Sequence, residues 1–444
     1  MSCPSSTADL VRQHGLEVGP MTFDANKMVQ EPGMQSAIAS RDGNVCIFAA
    51  LQAKKAQGSN GCGNADEEAM AFMTDFRPDV IVGNPILLGE NLVAVAEKLQ
   101  VPVVIANVMP FLPSRVAFPC TQTWEQLKAK GLEGKPLQAH KEVFDAFFGD
   151  DELTEHNDMR TRWGLVPYAS ASELHATFHC MPNANCWSAA LAPEPPDLKV
   201  EFPWAKQTGY LFAETSLAYA PPTELLAFLA MCGENKPVYV GFGSLSAGDP
   251  RLLTEKILRA LILTGDKPCV MIGGWSGIGP EHLDEELTPD YAVLKSFAEC
   301  CVLKVKSAPH TWLFPQCCAA MHHGGAGTTG AAARAGLPMA IVPFAWDQPW
   351  WAQQVEEIGV GLAVRTVVTE ASVSELGSAL KRITCDRQMA ACAAELGAAI
   401  RSERNGADQL ADFVIDALSA PFPWPTAKRP VPTMLQPPIW EKAR

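Results

Sequence analysis

A ten-residue stretch, Met321-His-His-Gly-Gly-Ala-Gly-Thr-Thr-Gly330, limits what this chain can become more than any other. An apolar run leads into it (Cys317-Cys-Ala-Ala-Met321), and an alanine-rich run leaves it (Ala331-Ala-Ala-Arg-Ala335) before Gly336-Leu-Pro338. That order predicts a buried strand, a glycine turn and a helix start. Such a junction gathers bare backbone N–H groups and the positive end of a helix, which is where an anion binds. Gly324, Gly325 and Gly327 would let the backbone approach a ligand with no Cβ in the way. Thr328 and Thr329 add hydroxyls, and His323 adds an imidazole at the mouth. Packing alone would also explain a glycine turn, so the next unit matters. Ala340-Ile-Val-Pro-Phe344 reads as a second buried strand, followed by Trp346-Asp-Gln348. A phosphate turn beside a carboxylate–amide pair suggests a sugar nucleotide as ligand.

The remaining loops converge on the same rim. The second half of the chain reads as alternating strands and helices, hence a parallel sheet. Its strands would deliver Gly243-Ser244, residues 273–279, Ser307-Ala-Pro-His-Thr-Trp312, the 322–329 turn and Asp347-Gln348 to one edge, where open α/β sheets bind ligands. Asp347 suits either sugar-hydroxyl binding or an N-cap for the helix after Pro349. Trp312 suits either a nucleobase slot or the core. His322 reads as a satisfied buried histidine, and His323 as the ligand contact.

Composition bounds the alternatives. At 444 residues the chain is long enough for two full cores. A net charge of −14 argues against nucleic acid or an anionic membrane as the main partner. Fourteen cysteines are scattered or adjacent, with no CxxC pairs at zinc spacing, and most read as small buried residues in a reducing cytosol. No apolar run approaches 18 residues, and the opening Met1-Ser-Cys-Pro-Ser-Ser6 does not read as a secretory signal. The expectation is a cytoplasmic protein. No metal site is indicated, and Gly-Phe-Gly-Ser244 is not a hydrolase nucleophile elbow, because position 246 is Ser.

Along the chain, residues 10–18 read as a helix end running into a strand, with no strand before the helix. Residues 26–58 and 62–76 have helical spacing. Residues 78–85 and 101–110 read as strands flanking a helix at 89–99, and residues 111–160 as turns and helices that either shape a pocket or cover the sheet. A last strand near 183–188 precedes a proline-rich exit. The predicted domains are 1–205 (N-terminally incomplete, acceptor-binding), a linker at 206–222, a donor-binding domain at 223–420, and a proline-rich tail at 421–444.

At these residues the chain resembles the inverting GT-B glycosyltransferases that use UDP-sugars, in particular the sterol 3-beta-glucosyltransferase group and its bacterial antibiotic-modifying relatives. Matching stretches are Val238-Tyr-Val-Gly-Phe-Gly-Ser244, Gly274-Trp-Ser-Gly-Ile-Gly279, Pro309-His-Thr-Trp-Leu-Phe-Pro315, His322-His-Gly-Gly-Ala-Gly-Thr-Thr329 and Val342-Pro-Phe-Ala-Trp-Asp-Gln-Pro349. In the first half, Pro78-Asp-Val-Ile-Val-Gly-Asn-Pro85, Ser188-Ala-Ala-Leu-Ala-Pro193 and Gly209-Tyr-Leu-Phe212 also match. The resemblance implies two Rossmann-like β/α/β domains facing across a cleft. It implies that Ser244, His323, Ala326, Gly327 and Thr328 face the diphosphate, Ala308 and His310 the uracil, and Asp347 and Gln348 the sugar hydroxyls. It also implies direct displacement at the anomeric carbon without a metal cofactor.

The family opens with a strand and a Gly-Thr-Arg-Gly-Asp-type loop, for which residues 1–18 offer no match. That loop carries the Asp tied to the catalytic base, so the catalytic residue stays unassigned; His14 and Asp24 are the nearby candidates. The expected function is transfer of glucose from UDP-glucose to a sterol or similar lipophilic alcohol by a monomer that contacts membranes peripherally. A non-catalytic UDP-sugar-binding relic, a transferase for another small-molecule acceptor and a nucleotide-sugar epimerase are the alternatives.

Overall fold

The computed structural model describes residues 2–4, 8–21, 32–34, 36, 62–84, 90–212, 219–243, 249–274, 277–419 and 438–440. The chain divides into two compact units. The first comprises residues 1–187, 194–209 and 406–444, and the second residues 188–193 and 210–405.

In the first unit, four parallel strands lie in sequence order: β3 (Ile81–Gly83), β4 (Val103–Asn107), β5 (Asn183–Asn185) and β6 (Ala205–Gln207). Val103, Val104 and Ile105 are buried, the pattern of a parallel strand covered on both faces. The helix Glu90–Leu99 turns Leu92, Val93, Val95 and Ala96 into this core. Its buried carboxylate Glu97 meets the buried guanidinium of Arg160 at 2.7 Å. Arg160 also donates to the Val166 carbonyl and the Tyr168 hydroxyl, so the charge is taken up on several sides. The 111–160 region is a helical layer, Trp124–Ala129, Pro136–Phe148 and Asp150–Arg162. The first of these helices starts with a capping box between Thr123 and Gln126.

Three sequence expectations need correction here. A strand does precede the first helix: β1 (Ser2–Pro4) pairs in parallel with β2 (Gly19–Met21) across the helix Ala8–Gln13. It escaped notice because three residues, one of them proline, carry no periodicity. The last strand of this unit is β6, not the one near 183–188, and it straddles the boundary expected between residues 205 and 206; Ala205-Lys-Gln207 has no apolar run to announce it, and its pairing with β5 defines it. Finally, the helix Gly406–Ser419 belongs to the first unit and not to the donor-side domain. Leu410, Phe413, Val414 and Ala417 pack on Val104, Ala184 and Cys186, so its apolar stripe completes the first core. Ile439, in the tail, is buried with Leu112, Leu198 and Phe202. The expected helices in 26–58 fall mostly outside the described residues.

The second unit holds six parallel strands: β7 (Val238–Gly241), β8 (Cys269–Ile272), β9 (Val302–Val305), β10 (Ala319–His322), β11 (Met339–Ile341) and β12 (Gly361–Ala363). They lie in the order β12-β11-β10-β7-β8-β9. The first strand is central, and the winding reverses between β7 and β10. That is the doubly wound dinucleotide-fold order, whose switch point opens a crevice at the carboxyl ends of those two strands. Val238, Val240, Met271, Met321 and Ile341 are all buried. Among the described residues no helix is long and apolar enough to cross a membrane.

Candidate functional site

The crevice at the β7–β10 switch point is lined by backbone. β10 ends at His322, and the chain turns through Gly324, whose φ is +91°. Gly325 is the N-cap of the helix Ala326–Ala335. The helix therefore starts five residues earlier than the alanine run suggested and takes in Gly327, Thr328, Thr329 and Gly330. These are weak helix formers; packing holds them, since a Cβ on Gly330 would lie 2.5 Å from the Tyr210 ring. No side chain caps the helix, so its first-turn N–H groups are left to solvent or a ligand.

The glycines differ in purpose. A Cβ on Gly324 would lie 2.5 Å from Ile341 Cγ2, and one on Gly325 2.5 Å from His323 Nε2. Across the crevice, Gly243 at the end of β7 (φ +64°) would bring its Cβ within 2.5 Å of His323 Cε1. These three are demanded by the fold. Gly327 is not: a Cβ there would meet nothing within 4 Å, and the residue is exposed.

Three imidazoles line the crevice. His322 is fully buried; its Nδ1 accepts the Gly324 N–H at 3.0 Å, which leaves the proton of the neutral ring on Nε2. Burial, with the neighbouring imidazoles, holds its pKa far below the usual range. His323 is pushed down to about 4 by burial, then by His310, with the Gly241 carbonyl opposing. His310 is likewise lowered to about 4 by burial. Its Nε2 lies 3.1 Å from the Tyr239 hydroxyl, and its ring stacks on Phe314 at 4.5 Å. At neutral pH all three are uncharged.

The loop after β11 completes the rim. Its Gln348 carbonyl oxygen would stand 3.2 Å from a Cβ on Gly324, so it abuts the β10 turn. Gln348 Oε1 accepts the N–H groups of Phe344 and Ala345, at 2.8 and 3.3 Å. Asp347 occupies the N-cap position of the helix Gln348–Glu357, but its side chain does not cap it. Oδ2 instead accepts the indole N–H of Trp351 at 2.7 Å. Burial raises the Asp347 carboxyl to about 6, with the Trp351 bond opposing. Just before it, Trp346 has φ +62°. A bulky residue in left-handed backbone costs on the order of 1–3 kcal/mol and marks a place where the surroundings enforce it.

Comparison with known proteins follows the same lines. Residues 283–414 match the erythromycin biosynthesis protein CIII-like C-terminal domain. A sterol 3-beta-glucosyltransferase of Leptosphaeria maculans is 31% identical over 399 residues, 88% of this chain and 25% of its own length. One from Arabidopsis thaliana is 33% identical over 316 residues, 71% of this chain and 47% of its own. The chain is a homologue of the sterol 3-beta-glucosyltransferases. It spans about a quarter of the fungal relative and about half of the plant one. Among solved structures, the glycosyltransferase of kitacinnamycin superposes with a TM-score of 0.60 at 18% identity, over 94% of this chain and 90% of its own. The glycosyltransferase VinC, solved in complex with DTDP, gives 0.53 at 17%, over 94% and 92%. The fold is GT-B.

Of the residues expected to bind a donor in this sterol glucosyltransferase homologue, His323, Ala326, Gly327, Thr328, Asp347 and Gln348 meet around the β10 turn and the loop after β11. Ala308 and His310 lie at the end of β9, with the His310 ring committed to Tyr239 and Phe314. Ser244 lies outside the described residues, as do positions 275–276 of the 273–279 loop and the base candidate Asp24. The other base candidate, His14, is exposed in the turn after the first helix. Trp312 is half-buried, with its ring 5.4 Å from Tyr219. Among the described residues no cluster of His, Cys, Asp or Glu is arranged for a metal ion. Sequence reasoning gave no part to Tyr210 or Trp346. Tyr210 is buried against the helix Ala326–Ala335, and its hydroxyl has no partner among the described residues. Its only signal was the Gly209-Tyr-Leu-Phe212 match.

Proposed function

We propose that the chain transfers glucose from UDP-glucose to the hydroxyl of a sterol or similar lipophilic alcohol, with inversion at the anomeric carbon. The observation that carries the donor half is Gly327: a glycine the fold does not require, on the first turn of an uncapped helix, beside a neutral His323. A glycine where a side chain would fit makes sense if the backbone must come within contact of a ligand. In this reading the diphosphate lies on the N–H groups of Ala326, Gly327 and Thr328, and His323 donates a hydrogen bond to it. Asp347, ionised above about pH 6, accepts hydrogen bonds from the sugar hydroxyls. The helix N–H groups and His323 would stabilise the departing UDP as preorganised donors, so no metal ion is called for. The sterol acceptor and the use of glucose are supported by the names of the sterol 3-beta-glucosyltransferase relatives.

The test is product identity. Incubating the chain with UDP-glucose and cholesterol and analysing the lipid extract should give a hexosyl sterol by mass spectrometry, with β configuration at the anomeric proton. Binding of UDP-glucose with no glycoside from any of several alcohols would replace the proposal with a non-catalytic UDP-sugar-binding protein.

A further inference from the structure

Four described non-glycine residues have left-handed backbone: Arg77, Gln100, Asp266 and Trp346. Arg77 and Gln100 each stand immediately after a helix, where that conformation is the ordinary way to end it. Asp266 sits in the turn after Pro250–Ile262, and aspartate tolerates that backbone. Trp346 differs on every count. It follows a strand, it is bulky, and glycine would hold its conformation at no cost.

The loop around it is pinned on both sides. Gln348 Oε1 ties back the Phe344 and Ala345 N–H groups, and Trp351 fixes Asp347. The strained φ is thus imposed by a tight hydrogen-bonded loop. The indole that bears the cost has no specific partner of its own within the described residues. It is half-buried, and among the described residues it makes no ring contact and no hydrogen bond. Its neighbour Trp351, by contrast, is fully buried, bonded to Asp347 and packed edge-on against Trp350 at 4.7 Å.

A strained, pinned and unpartnered indole beside the carboxylate of a ligand crevice has the features of a recognition surface. A flat aromatic face suits the apolar C–H face of a pyranose ring, as the adjoining carboxylate suits its hydroxyl edge. We propose that Trp346 is the hexose-recognising wall of the donor site, discriminating the sugar and not the nucleotide. The inference rests on the donor-site reading above and adds a specificity residue to it.

The experiment compares UDP with UDP-glucose by calorimetric titration of the full chain and of W346G and W346F. Glycine relieves the backbone strain but gives up the buried part of the indole, so the melting temperature of W346G is measured beside the titrations to confirm that it is folded. Its affinity for UDP-glucose should fall about five- to tenfold, the range of an aromatic contact. Its affinity for UDP should stay within about twofold, and W346F should recover most of the loss. The proposal is overturned if W346G binds both ligands as the parent does, if both affinities fall together, or if phenylalanine restores nothing. Should W346G fail to fold, W346N carries the same comparison, because asparagine tolerates left-handed backbone. A parent that binds neither UDP nor UDP-glucose would remove the donor-site reading itself, an outcome distinct from a Trp346 effect on neither ligand.

Discussion

The imidazole of His323 lies against the α-carbon of Gly243, so close that a methyl group at 243 would stand 2.5 Å from Cε1. One residue follows β7 and the other follows β10, the two strands between which the winding of the sheet reverses. The contact closes the floor of the crevice and turns the edge of the ring toward Gly325 and the helix start.

The crevice glycines separate fold from function. G243A, G324A and G325A each force a Cβ into a neighbouring atom, two of them with left-handed backbone as well, and should lower the melting temperature by several degrees. G327A should fold as the parent does, or slightly better, because alanine favours a helix. It should nevertheless weaken UDP binding by at least about tenfold, the scale of one or two lost hydrogen bonds to a charged ligand. Thermal melts with and without UDP read both effects. If G327A binds UDP normally, the helix start is not the anion site.

His323 makes the affinity depend on pH. Burial holds the free ring near 4, and an anion placed beside it favours the protonated form. The bound ring must then have the higher pKa, so binding takes up protons between the two values and UDP affinity from this group rises as pH falls through that window. Calorimetry in buffers of different ionisation enthalpy measures the uptake. It should vanish in H323N; an equal uptake in that variant would place the proton elsewhere.

Asp347 sets stability against activity. Its folded carboxyl titrates near 6, above the ordinary value of 3.8. The folded state therefore holds this proton more tightly than the unfolded chain, and the parent loses stability as pH rises from about 4 to 6. D347N removes that loss while its amide oxygen still accepts from Trp351. At pH 7.5 it should be more stable than the parent by up to about 3 kcal/mol, with no gain below pH 4. Its kcat/KM for UDP-glucose should fall about 10- to 100-fold. Denaturant titrations at both pH values test the first claim; a destabilised D347N would contradict it.

The second unit was legible in the sequence because its strands are short apolar runs closed by glycine turns, each followed by a helix. Parallel topology then brings the loop ends together without any need of side-chain detail. The first unit was less so. β1 and β6 are three-residue strands with no alternation, defined only by their pairing partners. The helix Gly406–Ser419 reads as an ordinary amphipathic segment whose destination depends on which core its stripe completes. In the site, sequence could mark Gly324, Gly325 and Gly327 together but could not tell the two that the fold needs from the one it does not. Trp346 was invisible as a site residue, since its φ comes from the hydrogen bonds of Gln348, four positions of context that a motif does not spell out.

The most direct test of the account is the rate of UDP release from UDP-glucose by the purified chain, measured with and without cholesterol. A saturable, cholesterol-dependent rate that is lost in G327A is the predicted result. Release that is no faster with cholesterol than without, while G327A and parent behave alike, would contradict it.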